Sequence, residues 1–144
     1  MLVAEACVAY AQRGMTLADA LEEVYEIYGF YRERVKSYTL EGKAGIEKIQ
    51  NAMKELRKQP LTAIAGRKVV RVDDFTKPEE TGLPSSNVLR YTLEDETWVT
   101  VRPSGTEPKL KLYLGAHEKD ETSCDAILAE VIADIDAKLS AWLA

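Results

Sequence analysis

The apolar positions of this chain fall into two periods, helical at both ends and alternating in between. Leu2 to Gln12 is apolar on most sides and rich in alanine, which predicts a buried helix with Gly14 near its C-terminal end. Thr16-Leu17-Ala18-Asp19 then supplies an N-cap with an acid three residues on. Leu17, Leu21, Val24 and Tyr28 follow at helical spacing, and Gly29 supplies the stop. Together these segments predict a helical hairpin. Phe30 to Leu40 is mixed, with Tyr31, Val35 and Tyr38 among charged residues, and reads as a linker or strand between domains. A helix is expected from Glu41-Gly42, with Ile46, Ile49, Met53 and Leu56 as its stripe and Lys58-Gln59-Pro60 as its end.

Beyond Pro60 the period becomes two. Val70 and Val72 are expected on one face of a strand, with Val69 and Arg71 opposite. Leu89, Tyr91 and Leu93 alternate with Val88, Arg90 and Thr92; Val99 and Val101 continue the pattern, as do Leu110, Leu112 and Leu114. Asp95-Glu96 fits a tight hairpin turn. Thr76 to Ser86 carries Pro78, Gly82 and Pro84 and is expected to be a loop. A long amphipathic helix closes the chain, its start marked by Thr122 and Asp125. Its buried face comprises Ile127, Val131, Ile135, Leu139 and Trp142.

The expected fold is therefore α+β. Residues 41–144 form a four-stranded antiparallel sheet with two helices on one face. Residues 1–40 hold a hairpin with no evident sheet to cover. They read as the end of a domain whose body lies elsewhere, plus a connector. A truncated hairpin would leave its apolar face free to unfold or to pair with a second copy.

Composition narrows the function classes. The chain has 144 residues, 46% hydrophobic and 30% charged, with a net charge of −5. The acidic balance speaks against a nucleic-acid partner, which wants a basic face. It permits a small anion, because one local cluster can outweigh a weak global field. No apolar run approaches the roughly 20 residues of a membrane span. The start, Met1-Leu2-Val3-Ala4-Glu5, lacks the basic region of a secretory signal. Cys7 and Cys124 lie far apart with no zinc spacing, and read as two reduced thiols of a cytoplasmic protein.

The segment Arg102-Pro103-Ser104-Gly105-Thr106-Glu107-Pro108-Lys109 carries the chemistry. It joins two strands and is longer than the roughly two residues a hairpin needs. Arg102 offers a planar fork that matches two phosphate oxygens. Ser104 and Thr106 bring hydroxyls. Gly105 lets the backbone turn so that successive N–H groups form a nest. Pro103 and Pro108 stiffen the ends. Lys109 and Lys111 add charge on one face of the following strand. On residue chemistry alone the segment is either an anion site or an ordinary Ser-Gly-Thr turn with Arg102 on the surface.

The run Trp98-Val99-Thr100-Val101-Arg102-Pro103-Ser104-Gly105-Thr106-Glu107-Pro108-Lys109 resembles the phosphate-binding signature of the α-D-phosphohexomutases. Leu83-Pro84-Ser85-Ser86-Asn87-Val88-Leu89 is similar to the segment preceding that loop in their bacterial phosphoglucomutase members. Tyr28-Gly29-Phe30-Tyr31 and Thr39-Leu40-Glu41-Gly42-Lys43-Ala44-Gly45-Ile46 resemble the connector into the last domain.

The resemblance implies a four-domain cytoplasmic isomerase that interconverts hexose 1- and 6-phosphates through a phosphoserine, with magnesium in the full-length enzyme. This chain would hold the end of the third domain and a TATA-binding-protein-like fourth domain. Its partners would be hexose phosphate and the enzyme's other domains, with no nucleic acid and no membrane. Arg102, Ser104, Gly105 and Thr106, with Lys109, would clamp the phosphate that is not reacting.

The family's phosphoserine segment, its Asp-Gly-rich metal loop and its Glu-Ser-Gly-His-type sugar loop have no counterpart, and the chain has no Asp-Gly pair. No catalytic residue, metal ligand or cofactor is therefore expected here, and the isolated chain is expected to be inactive. A stand-alone phosphate or sugar-phosphate module, or a protein-interaction domain that kept only the fold, are the alternatives. His117 reads as a surface histidine. Asp73-Asp74 and Glu94-Asp95-Glu96 read as solvated turn charges, and Trp98, Tyr113 and Trp142 as core or rim packing.

Overall fold

The structure is a computed structural model that describes residues 1–143. Two helices, α1 (Leu2–Gln12) and α2 (Leu17–Tyr28), lead into strand β1 (Phe30–Thr39) and helix α3 (Gly42–Lys58). Strands β2 (Ala63–Ile64) and β3 (Arg67–Asp74) follow, then a single helical turn, α4 (Pro78–Thr81). Strands β4 (Leu89–Leu93), β5 (Trp98–Pro103) and β6 (Lys109–Glu118) precede the closing helix α5 (Glu121–Leu143). The strands form one antiparallel sheet in the order β1-β6-β5-β4-β3-β2.

The sheet has six strands, not the four that periodicity predicts, and each extra strand has a physical reason. Phe30 to Thr39 pairs with β6 over its whole length, from Phe30 opposite Glu118 to Thr39 opposite Lys109. It carries no apolar alternation because its helix-side positions are Arg32, Arg34, Lys36 and Tyr38. Acids on α5 answer these residues: Arg34 donates to Asp125 at 2.7 Å, Lys36 and Tyr38 both donate to Asp136, and Arg32 pairs with Glu121. The sheet thus starts ten residues before the boundary expected at residue 40. Strand β2 is only two residues long, too short to show a period. It is set by a reversal at Ala65 and Gly66, both at positive φ, the geometry of a two-residue hairpin.

The core lies between one face of the sheet and α3 with α5. Leu89, Tyr91, Leu93, Val99, Val101, Leu110, Leu112 and Leu114 point into it from the strands. Ile49, Met53 and Leu56 enter from α3, and Leu128, Val131, Ile135 and Leu139 from α5. The alternation read from sequence therefore holds in β4, β5 and β6. In β3 it slips, because a bulge between Val69 and Arg71 puts Val69 opposite Leu93, against the core, and Val72 opposite Tyr91, where it stays 38% exposed. Val70, expected beside Val72, is 57% exposed instead.

Helix α2 begins as the pattern predicts, with a reciprocal cap between Thr16 and Asp19. Helix α5 is capped by Asp120, which accepts from the Ser123 amide at 2.8 Å, earlier than the predicted start at Thr122. Helix α1, expected to be buried, buries none of its residues. It packs on α2, and Leu2, Val3 and Val8 face outward. Helical spacing identifies an apolar face but not what covers it. The hairpin is joined to the sheet at one corner. There Tyr25 stacks on Phe30 at 4.5 Å, and the His117 ring stacks on Tyr31 with Nε2 2.8 Å from the Tyr28 carbonyl.

Candidate functional site

The sheet face turned away from the helices is where cations collect. Alternation against the buried Val101 and Pro103 turns Arg102 outward, and alternation against Leu110 and Leu112 does the same for Lys111. Register then places Arg102 directly opposite Lys111 across β5 and β6. Arg90 is on the same face, its guanidinium 4.6 Å above the Trp98 ring, opposite Asp73 of β3, which pairs with Arg71 at 2.8 Å. The acids that give the chain its net charge of −5 include Glu121, Asp125, Glu130, Asp134 and Asp136, all carried by α5. The acids of α5 thus lie on the side of the sheet away from Arg102 and Lys111.

Residues 104–108 rise from the end of the Arg102–Lys111 pair. Pro103 is buried and opposite Leu110, so the loop has a rigid base. The Ser104 amide donates to the Lys109 carbonyl at 2.8 Å and closes the loop neck. The Leu40 amide donates to the Pro108 carbonyl at 2.9 Å and ties the far side to the end of β1. Within that frame the amides of Gly105, Thr106 and Glu107 donate to nothing among the described residues, and neither do the Ser104 and Thr106 hydroxyls. The Arg102 guanidinium likewise has no carboxylate or hydrogen-bond partner among them.

A cleft of about 340 Å³ opens on the sheet-face side, lined by Arg102, Ser104, Gly105, Thr106, Lys111 and Tyr113. The four residues Arg102, Ser104, Gly105 and Thr106 that the sequence points to are therefore brought together. Lys109 is not part of this lining. Its ammonium donates to Glu107 at 2.8 Å, and that bond holds the Glu107 carboxyl below its ordinary value. Lys111, two residues on, takes the place in the cleft. Gly105 does not need its glycine for backbone geometry, since its φ is not positive and a Cβ there would meet nothing within 4 Å. What the glycine leaves is open space against the loop amides.

A second cleft flanks the loop on the other side, lined by Ile46, Gln50 and Asn87 together with Pro103 to Glu107. Sequence reading missed Asn87 and Gln50 as neighbours of the loop, because strand order, not chain order, places the start of β4 beside the end of β5. Tyr113, read as packing, lines the first cleft.

Two other sequence readings are corrected. Asp74 is no solvated turn charge: it accepts from Arg57 at 3.1 Å and from the Thr76 amide at 3.0 Å. Burial pulls its acidity down, but those bonds outweigh burial and hold its carboxyl below the usual range. Asp95 pairs with Arg67 at 2.7 Å. Cys124 is buried against the Phe30 carbonyl, and burial pushes its thiol up, away from reactivity.

A family model described as the phosphoglucomutase/phosphomannomutase C-terminal domain matches residues 39–136. The chain belongs to this family. The phosphoglucomutase of Staphylococcus saprophyticus is 34% identical over 112 residues, covering 71% of this chain and 20% of that protein. A Staphylococcus aureus phosphoglucomutase is 40% identical over 111 residues, covering 70% of this chain and 20% of the relative. The chain thus spans about a fifth of the length of the curated phosphoglucomutases it matches. The solved open form of the Paramecium exocytosis-sensitive phosphoprotein pp63/parafusin, a phosphoglucomutase, superposes with a TM-score of 0.58 at 15% identity. The match covers 88% of this chain and 23% of that one, and supports a shared fold. Among the described residues no group of three His, Cys, Asp or Glu side chains could hold a metal ion. No described helix is long and apolar enough to cross a membrane.

Proposed function

We propose that this chain is the substrate-phosphate clamp of a phosphoglucomutase that interconverts glucose 1-phosphate and glucose 6-phosphate. The carrying observation is the pair Arg102 and Lys111 beneath three unused loop amides, neither cation held in a salt bridge among the described residues, although the Glu107 carboxylate lies within reach of the Lys111 charge. Fixed donors around a cleft form a preorganised anion cradle. Arg102 supplies a two-pronged charge-assisted contact, Lys111 a point charge, and Ser104, Gly105 and Thr106 short-range donors. Lys109 tunes the loop through Glu107 and contributes charge at longer range.

Such a cradle suits the phosphate that is not being transferred. Holding a remote phosphate supplies binding energy that positions the reacting end of the sugar. The cradle reads the phosphate and not the ring, so it accepts the sugar in either orientation. Phosphoryl transfer itself needs a donor and charge-neutralising metal, which this reading assigns to the rest of the enzyme. Magnesium of the full-length protein would take its ligands there, from the family's Asp-Gly-rich loop, which has no counterpart in this sequence. Residues 1–28 would complete the preceding domain, and residues 41–144 together with the edge strand Phe30–Thr39 of their sheet would form the clamp. The outward apolar side of α1 and α2 would meet the other domains in the enzyme and a second copy in the isolated chain.

Calorimetry and a turnover assay on the purified chain test this reading. Glucose 1-phosphate is expected to bind weakly, neutral glucose not to bind, and no glucose 6-phosphate to form. Equal binding of glucose and its phosphate, or turnover, contradicts it.

A further inference from the structure

The second cleft beside the loop holds a side chain whose orientation is set from behind. Asn87 lies where the chain enters β4, on the flank of the loop opposite to Lys111, because β5 sits between β4 and β6. Arg57 on α3 donates from Nη2 to Asn87 Oδ1 at 2.7 Å. A guanidinium has donors only, so the oxygen of the amide must face Arg57 and the NH₂ must face away. Arg57 is itself fixed, since its Nε lies 3.2 and 3.1 Å from the two Asp74 oxygens. Asp74 is anchored in turn by the amide and hydroxyl of Thr76, at 3.0 and 2.8 Å.

This relay ends at Asn87 Nδ2, which has two N–H bonds. One reaches Gln50 Oε1 at a long 3.4 Å, and the other has no acceptor among the described residues. Asn87 and Gln50 line the cleft with Ser104, Gly105 and Thr106, and Asn87 also lines a cleft with Arg102 and Gly105. An ordinary turn asparagine needs no charged residue to fix its flip. Here a charge pair 15–23% exposed is spent on presenting one amide to the loop.

We infer that Asn87 is a further ligand-binding residue of the phosphate clamp, donating from Nδ2 to a phosphate oxygen on the side away from Lys111, with Arg57 as its positioning residue. This rests on the phosphate reading of the loop. The phosphate would then be held from both flanks and from the loop amides, which fixes its rotation as well as its place.

The test is inorganic phosphate binding to the 144-residue chain, measured by calorimetry, for wild type and Asn87→Asp. Aspartate keeps an oxygen for Arg57, removes the donor and adds a charge that repels phosphate, so the fold should persist while phosphate affinity falls about tenfold or more. Asn87→Ser, which shortens the side chain without adding charge, should lose a smaller factor in the same direction. Arg57→Ala should weaken phosphate binding in wild type and add little on top of Asn87→Asp, since both act through one contact. Wild-type binding with undiminished affinity in Asn87→Asp and Asn87→Ser overturns the role of Asn87 and leaves the loop reading standing. No phosphate binding by wild type overturns both.

Discussion

Arg102 and Lys111 face each other across neighbouring strands, like charges in direct register with neither in a salt bridge among the described residues. Directly opposed like charges destabilise a sheet. A fold has no reason of its own to keep such a pair, whereas an anion site does. Lys111→Gln should therefore raise stability in phosphate-free buffer by about 0.2–1 kcal/mol in urea unfolding. The same variant should lose most of the stabilisation that saturating phosphate gives wild type, which is about 2.7 kcal/mol at a hundredfold excess over Kd. Lower stability in the phosphate-free variant would separate Lys111 from this role.

Gly115 is held to glycine by Trp98. A Cβ at that position would lie 2.4 Å from indole Cε2 and Nε1. Gly115→Ala should displace the indole from under Arg90 and cost about 1–3 kcal/mol, the usual penalty for overpacking. Tryptophan fluorescence during urea unfolding reads both effects. An unchanged midpoint and spectrum would mean that the ring moves aside freely.

Asp74 gives the chain an acid-sensitive joint. Its carboxyl is depressed below an ordinary value of 3.8 despite partial burial, by Thr76 and Arg57. A depressed acid contributes fully above its unfolded value, and the contribution is lost as pH falls through the folded value. Asp74→Asn should cost about 1–3 kcal/mol at neutral pH, with the gap to wild type narrowing in acid. A gap that stays constant to low pH would assign the cost to packing alone.

The helical hairpin should open before the sheet. Its described links at the corner are the Tyr25–Phe30 stack and the contact of His117 with Tyr28 and Tyr31. Amides of α1 and α2 should exchange with solvent well before those of β5 and β6, and His117→Ala should widen the difference. Uniform protection across the chain would contradict this.

Much of this was legible in the sequence, and the gaps share a cause. Leu89, Tyr91, Leu93 and Leu110, Leu112, Leu114 announced their strands because one face meets an apolar core. The edge strand Phe30–Thr39 was readable only as a linker or strand, because its inward positions Arg32, Arg34 and Lys36 are cations answered by acids about 90 to 100 residues away on α5. The bulge at Val70 is likewise invisible to a count of alternation. In the site, contiguous residues were readable and assembled ones were not: Arg102 to Thr106 lie in one run, whereas Lys111 and Asn87 join them only through strand pairing. Lys109 was legible as a charge, but the bond to Glu107 that occupies it depends on how the loop folds.

The central claim is that the loop amides bind phosphate under the charge of Arg102. Amide NMR of the chain during an inorganic phosphate titration tests it most directly. The account predicts saturable shifts at Gly105 and Thr106 that vanish in Arg102→Ala while the rest of the spectrum is unchanged. Loop amides that stay still at high phosphate, or that shift equally in Arg102→Ala, would contradict it.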